Sequence, residues 1–177
     1  MKSLKFLLLC IILFSSTILG QQSDFQKERR FFDFLIGEWK LQNAETSDGK
    51  WTNGDDTLKF VKALGGNAIT SEWYFNRGTP SKPNFTKALY YMGFDNTSQS
   101  WTFYYISPQS SQFYQGAFEN GNWNFYRAFV LNGKKILQRQ NWQMTGEGLL
   151  QRIIENSEDD GKTWSGRFSK YFFKKVN

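Results

Sequence analysis

Two Asn-Gly pairs, Asn120-Gly121 and Asn132-Gly133, stand between runs in which apolar and polar residues alternate. A two-residue hairpin turn needs φ > 0 at both central positions, and Asn-Gly meets that need at low steric cost. Asp48-Gly49, Gly65-Gly66, Asp95-Asn96 and Gly146-Glu147-Gly148 are further turn signals, and Pro80 and Pro83 fall in the longest gap. Between these marks the alternation predicts strands over Trp39–Thr46, Thr57–Leu64, Ala68–Arg77, Phe85–Phe94, Trp101–Ser107 and Gln112–Phe118, then Trp123–Leu131, Lys135–Thr145, Leu149–Asn156 and Thr163–Val176. That is about ten strands, joined closely enough to be antiparallel neighbours. A flat sheet of that size would leave two long edges unpaired, whereas an up-and-down barrel removes them. The expected fold is therefore all-β, an antiparallel up-and-down barrel, with a two-sheet sandwich as the alternative. Ser23 to Leu35 predicts a short N-terminal helix, with Ser23 or Asp24 as cap and Phe25, Phe31, Phe32 and Leu35 on one broad side.

Composition narrows the chemistry. Aromatic residues make up 19% of the chain, which favours strands and large buried side chains. There is no histidine, and the single cysteine is Cys10. Met1 to about Gly20 has the form of a secretory signal peptide: Lys2 and Lys5, the apolar run Phe6–Phe14, then Ser15, Ser16 and Gly20 before a cut at Gln21 or Gln22. Cys10 would leave with this leader. The processed chain would have no disulfide, thiolate nucleophile, Cys/His zinc site or His-ligated iron. Acid–base work would fall to Asp, Glu, Lys or Tyr. Losing Lys2 and Lys5 lowers the net charge of +6 by two, a mild excess that implies a solvated basic surface and no nucleic-acid partner. Residues 21–177 contain no linker-like stretch and are expected to form one domain, secreted or periplasmic, with no stable membrane span after processing. The sequence leaves the oligomeric state open.

Ser157-Glu158-Asp159-Asp160-Gly161-Lys162-Thr163-Trp164 fits the Asp-box hairpin pattern Ser-x-Asp-x-Gly-x-Thr-Trp. Its carboxylate accepts turn N–H groups, its glycine takes the left-handed position and its tryptophan folds back over the turn. A single copy implies a stable hairpin rather than a sialidase-like enzyme.

Gly37-Glu38-Trp39, ahead of the first strand, resembles the opening signature of the lipocalin/calycin barrels. That resemblance implies that Gly37 permits close backbone approach and that Trp39 packs across the closed end. A basic residue of the last strand, Arg167 or Lys170, would stack on Trp39. Over a longer span, Phe32-Asp33-Phe34-Leu35-Ile36-Gly37-Glu38-Trp39 resembles the start of the DUF1579-type proteins, a lipocalin-like family of unassigned activity. Leu64-Gly65-Gly66 is similar to their step into the third strand, and Asp160-Gly161-Lys162-Thr163-Trp164 with an aromatic last strand is similar to their C-terminus. The resemblance implies a calycin-like barrel and secretion. The related nitrobindin-like barrels hold haem through a histidine, which this chain lacks, so no cofactor is carried over.

Alternation places Ile69, Ser71, Trp73 and Phe75 on one strand face; Trp101, Phe103 and Tyr105 on another; Trp123, Phe125, Arg127, Phe129 and Leu131 on a third; and Leu150, Arg152 and Ile154 on a fourth. An arginine in an apolar row is costly to bury without an anion. If these faces point inward, Arg127 or Arg152, together with Tyr171, would suit a ligand carboxylate. If they point outward, the arginines extend over exposed aromatics. The expected function is binding of a small, largely apolar ligand, with no catalytic or metal-ligating residues. Two alternatives are an isomerase or cyclase using Glu72, Glu119 or Glu155, and an interaction module with a filled interior.

Overall fold

A computed structural model describes residues 27–47, 49–51, 56–76, 82, 84–164 and 167–176. The expected signal peptide at 1–20 lies outside the described residues. The chain divides into two units at Asp33/Phe34. In the first, residues 27–29 form one helical turn, and Arg30 donates from Nε to Asp33 Oδ2 at 2.9 Å. A 3-10 turn spans Phe31–Leu35. Of the helix expected over Ser23–Leu35, residues 23–26 lie outside the described residues.

The second unit is a closed antiparallel barrel. Its strands are β1 (Gly37–Thr46), β2 (Gly49–Trp51), β3 (Thr57–Ala63), β4 (Ala68–Asn76), β5 (Phe85–Asp95), β6 (Ser100–Ser107), β7 (Ser110–Glu119), β8 (Asn122–Leu131), β9 (Lys134–Met144), β10 (Leu150–Ser157) and β11 (Arg167–Lys175). Each of β3 to β11 pairs with its sequence neighbour, and β1 joins β3 to β11. The first half of β1 pairs with β3, Gly37 opposite Phe60 to Lys40 opposite Thr57, while Trp39 lies opposite Lys175 on its other side. The β1–β11 register slips between Leu41 and Asn43, a bulge that bends β1 as it closes the ring. The end of β1 then turns back on the short β2, which lies outside the ten-strand ring.

The turns follow their chemistry. Asn120 and Gly121 have φ of 54° and 79°, and Asn132 and Gly133 have 51° and 78°. These are the positive values that two-residue hairpins of matching twist require.

The inward rows are apolar and aromatic. Trp39, Trp101, Trp142, Tyr90, Phe60, Phe103, Phe125 and Phe173 are fully buried. The outward rows carry ion pairs such as Lys59–Glu38 at 2.8 Å and Arg139–Glu155 at 2.7 Å. They also leave large apolar residues exposed, among them Leu89, Ile106, Phe113 and Val130. Among the described residues, no helix is long and apolar enough to cross a membrane.

Trp39 fixes the start of the barrel. Its Nε1 donates to Leu35 O at 2.7 Å, and Lys175 Nζ sits 5.4 Å from its ring centre. The cation expected from Arg167 or Lys170 is therefore supplied by Lys175, because the strand register sets Lys175 opposite Trp39 and Arg167 opposite Asn156. The Arg167 side chain itself lies outside the description. Gly37 has φ of 130°, and an added Cβ would lie 2.8 Å from Lys175 Cε.

The Asp-box hairpin forms as its sequence implies. Ser157 Oγ donates to Asp159 Oδ1 at 2.6 Å and accepts from Gly161 N at 2.8 Å. Thr163 donates to Asp159 from both N and Oγ1, at 2.9 and 2.7 Å. Trp164 lies beside Gly161 and takes the Arg139 guanidinium over its ring at 4.2 Å.

Two outcomes test this architecture. Gly116 lies where a Cβ would meet the Trp101 carbonyl oxygen at 2.3 Å, with Trp123 behind it. Gly116→Ala should destabilise the fold by about 1–3 kcal/mol in urea unfolding, the usual cost of forcing atoms into a packed interior. Unchanged stability would mean that β6 and β7 are not held at this spacing. Hydrogen bonds from Ser157 and Thr163 hold the Asp159 carboxyl down to about 2, against an ordinary 3.8. A depressed acid stabilises above its unfolded pKa and loses that contribution as pH falls through the folded value. Asp159→Asn should melt below the parent at neutral pH, and the gap should close as pH drops from about 4 towards about 2.

Candidate functional site

The barrel interior opens into a cavity. Strand alternation aims Trp73 from β4, Tyr105 from β6, Gln112 and Tyr114 from β7, Arg127 from β8, Gln138 from β9, Arg152 and Ile154 from β10 and Tyr171 from β11 at one cavity of about 210 Å³. Tyr105 and Gln112 also line a concavity of about 450 Å³ together with Phe75, Asn84, Thr86, Ser107, Gln109 and Ser110. The inner cavity therefore continues towards solvent past Tyr105.

Arg152 lies at the centre of this site and is 5% exposed. Its neighbours in register are Trp142 on β9 and Tyr171 on β11. Four rings surround its guanidinium: Tyr90 at 5.1 Å, Trp142 at 5.2 Å, Trp73 at 5.6 Å and Tyr171 at 5.9 Å. Nε and Nη2 donate to Gln140 Oε1 at 3.0 and 2.7 Å, and Nη1 donates to the Tyr90 hydroxyl at 2.7 Å. An arginine carries five N–H donors, so two are left without a protein acceptor. No carboxylate among the described residues pairs with it.

Of the lining residues, Trp73 has its Nε1 buried with no hydrogen-bond partner; Gln140 Nε2, Trp142 Nε1 and Ser71 Oγ are likewise unpartnered but belong to residues outside the lining. The two bonds from Arg152 fix which end of the Gln140 amide is oxygen, and so turn its NH₂ elsewhere. A site with a buried cation and spare N–H groups is built to receive negative charge or lone pairs.

Arg127 reaches the same cavity from the neighbouring wall. Its Nε donates to Gln138 Oε1 at 2.8 Å, and its guanidinium lies over Phe129 at 4.3 Å and Tyr114 at 5.2 Å. The Tyr114 hydroxyl lies 2.8 Å from Gln138 Oε1 and 2.7 Å from Gln112 Oε1, while Gln138 Nε2 donates to Asn156. Arg127 also has no carboxylate partner among the described residues.

Trp73, Tyr105, Arg127, Arg152 and Tyr171 are thus brought together as their alternation suggested, with Phe75 at the outer concavity. Trp101, Phe103, Trp123 and Phe125 share the inward faces but are buried in the filled part and do not line the cavity. Ile154, grouped with Arg152 by alternation, joins the lining, and sequence reasoning missed Tyr90, Gln112, Tyr114, Gln138 and Gln140. A signal existed on β9, where Ile136, Gln138, Gln140 and Trp142 alternate as one row, with two amides between apolar ends.

The carboxylates considered for catalysis lie elsewhere. Glu72 pairs with Lys87 and Tyr74, Glu119 accepts from Tyr126, and Glu155 pairs with Arg139. Among the described residues, no three His, Cys, Asp or Glu side chains group as metal ligands. A larger groove of about 760 Å³ lies along β3–β6, lined by Val61, Thr70, Leu89, Tyr91, Tyr104 and Ile106 with Lys59 and Glu72. Both of its charged residues are already engaged, Lys59 by Glu38 and Glu72 by Lys87. It offers apolar area and hydroxyl groups but no charge left unpaired, whereas the smaller cavity holds two arginines without a carboxylate partner among the described residues. No protein-family model matches this chain, and no curated protein matches it either.

Burial leaves a titration signature. It raises the phenol of Tyr90, with Arg152 opposing, and that of Tyr114, with Arg127 and Arg152 opposing. Burial, then the bond to Glu119, pushes Tyr126 up to about 12. In an ultraviolet titration a component should ionise well above 10.0, and Tyr90→Phe should shrink it. Raised pKa values stabilise below the unfolded value of 10.0 and lose that contribution above it, so alkaline unfolding should accompany this phase. The absence of any late component would place Tyr90 in solvent.

Proposed function

We propose that the barrel binds a small, largely apolar molecule through an acidic group seated at Arg152, without transforming it. The supporting observation is the buried Arg152 guanidinium, which has two free N–H donors and no carboxylate partner among the described residues. Burying a charge costs several kcal/mol after relaxation, so an uncompensated one is a liability unless a bound anion offsets it. The rings of Trp73, Tyr105 and Tyr171 supply the apolar walls. Among the described residues the lining contains no Asp or Glu, so binding fits the site better than carboxylate-driven isomerisation or cyclisation. The protein works outside the cytoplasm or in the periplasm after loss of residues 1–20, with no nucleic-acid partner. Its kinship is with the DUF1579-type lipocalin-like proteins. Leader, location and kinship rest on the sequence patterns alone.

Trp73 makes the test direct. Benzoate should change tryptophan emission saturably, the change should shrink in Trp73→Phe, and benzamide should bind at least about tenfold more weakly. Arg152→Met should lose benzoate binding. Its fold stability should change little, because the removed charge offsets the acceptors left bare on Gln140 and Tyr90. Equal affinity for the acid and the neutral amide would overturn the proposal.

A further inference from the structure

We infer that the ligand carries two acidic groups on a compact planar body, one held by Arg152 and the other by Arg127. This inference rests on the binding function proposed above and concerns the chemistry of the same cavity.

Two arginines line a space of about 210 Å³, and neither has a carboxylate partner among the described residues. Both act on one phenol: Arg127 and Arg152 each favour the charged form of Tyr114. Two like charges on one small cavity repel each other, and a single carboxylate would compensate only one. The second cation is also held in place. Gln138 Oε1 accepts from Arg127 Nε, Gln138 Nε2 is tied to Asn156, and Phe129 and Tyr114 hold the guanidinium on ring faces. Nε is taken up by Gln138 and the guanidinium also interacts with the Tyr114 hydroxyl, but five N–H donors leave part of the planar fork for a ligand.

Size and shape restrict the rest of the molecule. The volume lies below the roughly 300–1,000 Å³ of ordinary ligand pockets. A long acyl chain does not fit within the inner space and would have to run out past Tyr105, so the part held between the two arginines is compact. Among the described residues, apart from the arginines and two glutamines, the walls are the rings of Trp73, Tyr105, Tyr114 and Tyr171, with Ile154 the only aliphatic residue. Flat faces favour a flat body, which stacks without leaving voids. The class is therefore a small unsaturated or aromatic dicarboxylate, or a dianion of like geometry.

Calorimetry of the full processed chain with benzoate, isophthalate and terephthalate, at one fixed ionic strength, tests this. At least one dicarboxylate should bind about tenfold or more tightly than benzoate. Arg127→Gln should bring that ratio to near one, Arg127→Lys should restore part of it, and Arg152→Met should lose all three ligands. If benzoate binds and both dicarboxylates bind no better, or if Arg127→Gln leaves the ratio unchanged, the dianion inference fails while the single-acid function stands. If none of the three binds, both fail. Urea unfolding of each variant separates a folding defect from lost recognition.

Discussion

The pairing of β1 with β11 is the constraint on which everything else rests. Ten strands joined by short turns bury their apolar rows only if the two end strands meet. They meet because β1 is shared: its first half holds β3, its other side holds β11 across the bulge at Leu41/Asn43, and its far end turns off into β2. Trp39 marks that junction, fixed by Leu35 O and covered by Lys175. Val176 N also donates to Glu38 O at 2.8 Å, so the last residues of the barrel are tied to the first. Closure turns a sheet face into an interior, and an interior makes a charge placed there consequential.

Within that interior, packing and polarity are divided. Phe60, Trp142, Tyr90, Phe103 and Phe125 pack as a run of tilted and edge-on rings, and Trp101 meets Phe94 edge-on. Arg152 stands at the boundary between this packed part and the open cavity, with rings on several sides and a glutamine across its edge. Ring faces and one amide oxygen lessen the cost of holding a guanidinium away from water, but they do not cancel its charge. A fold shaped only for stability would place an apolar side chain here. The arginine, the spare Trp73 indole N–H and the adjacent space make sense together as a receptor for an anion.

The strand plan was legible because the turns that define it depend on backbone conformation, and residues such as Asn120-Gly121 announce that conformation locally. The Asp-box hairpin was legible for the same reason. The site was legible in part. Alternation grouped Trp73 with Phe75, and Arg152 with Leu150 and Ile154, but period-two reasoning does not say which face points inward. That choice is settled by closure, a contact between the two ends of the chain. The same limit hid Tyr90, which reaches Arg152 from strands away, and hid the choice of Lys175 over Arg167, which depends on register. The short β2 was missed because three residues are too few to show alternation. Gln138 and Gln140 escaped notice because amides read as surface residues until their row is seen to face inward.

The most direct measurement is a crystal structure of the protein purified from its own host without refolding. The account predicts density in the cavity beside Trp73, with oxygen atoms within hydrogen-bonding distance of the two free Arg152 N–H groups. A cavity holding only water, or an Arg152 neutralised by a carboxylate from the protein's own chain, would contradict it.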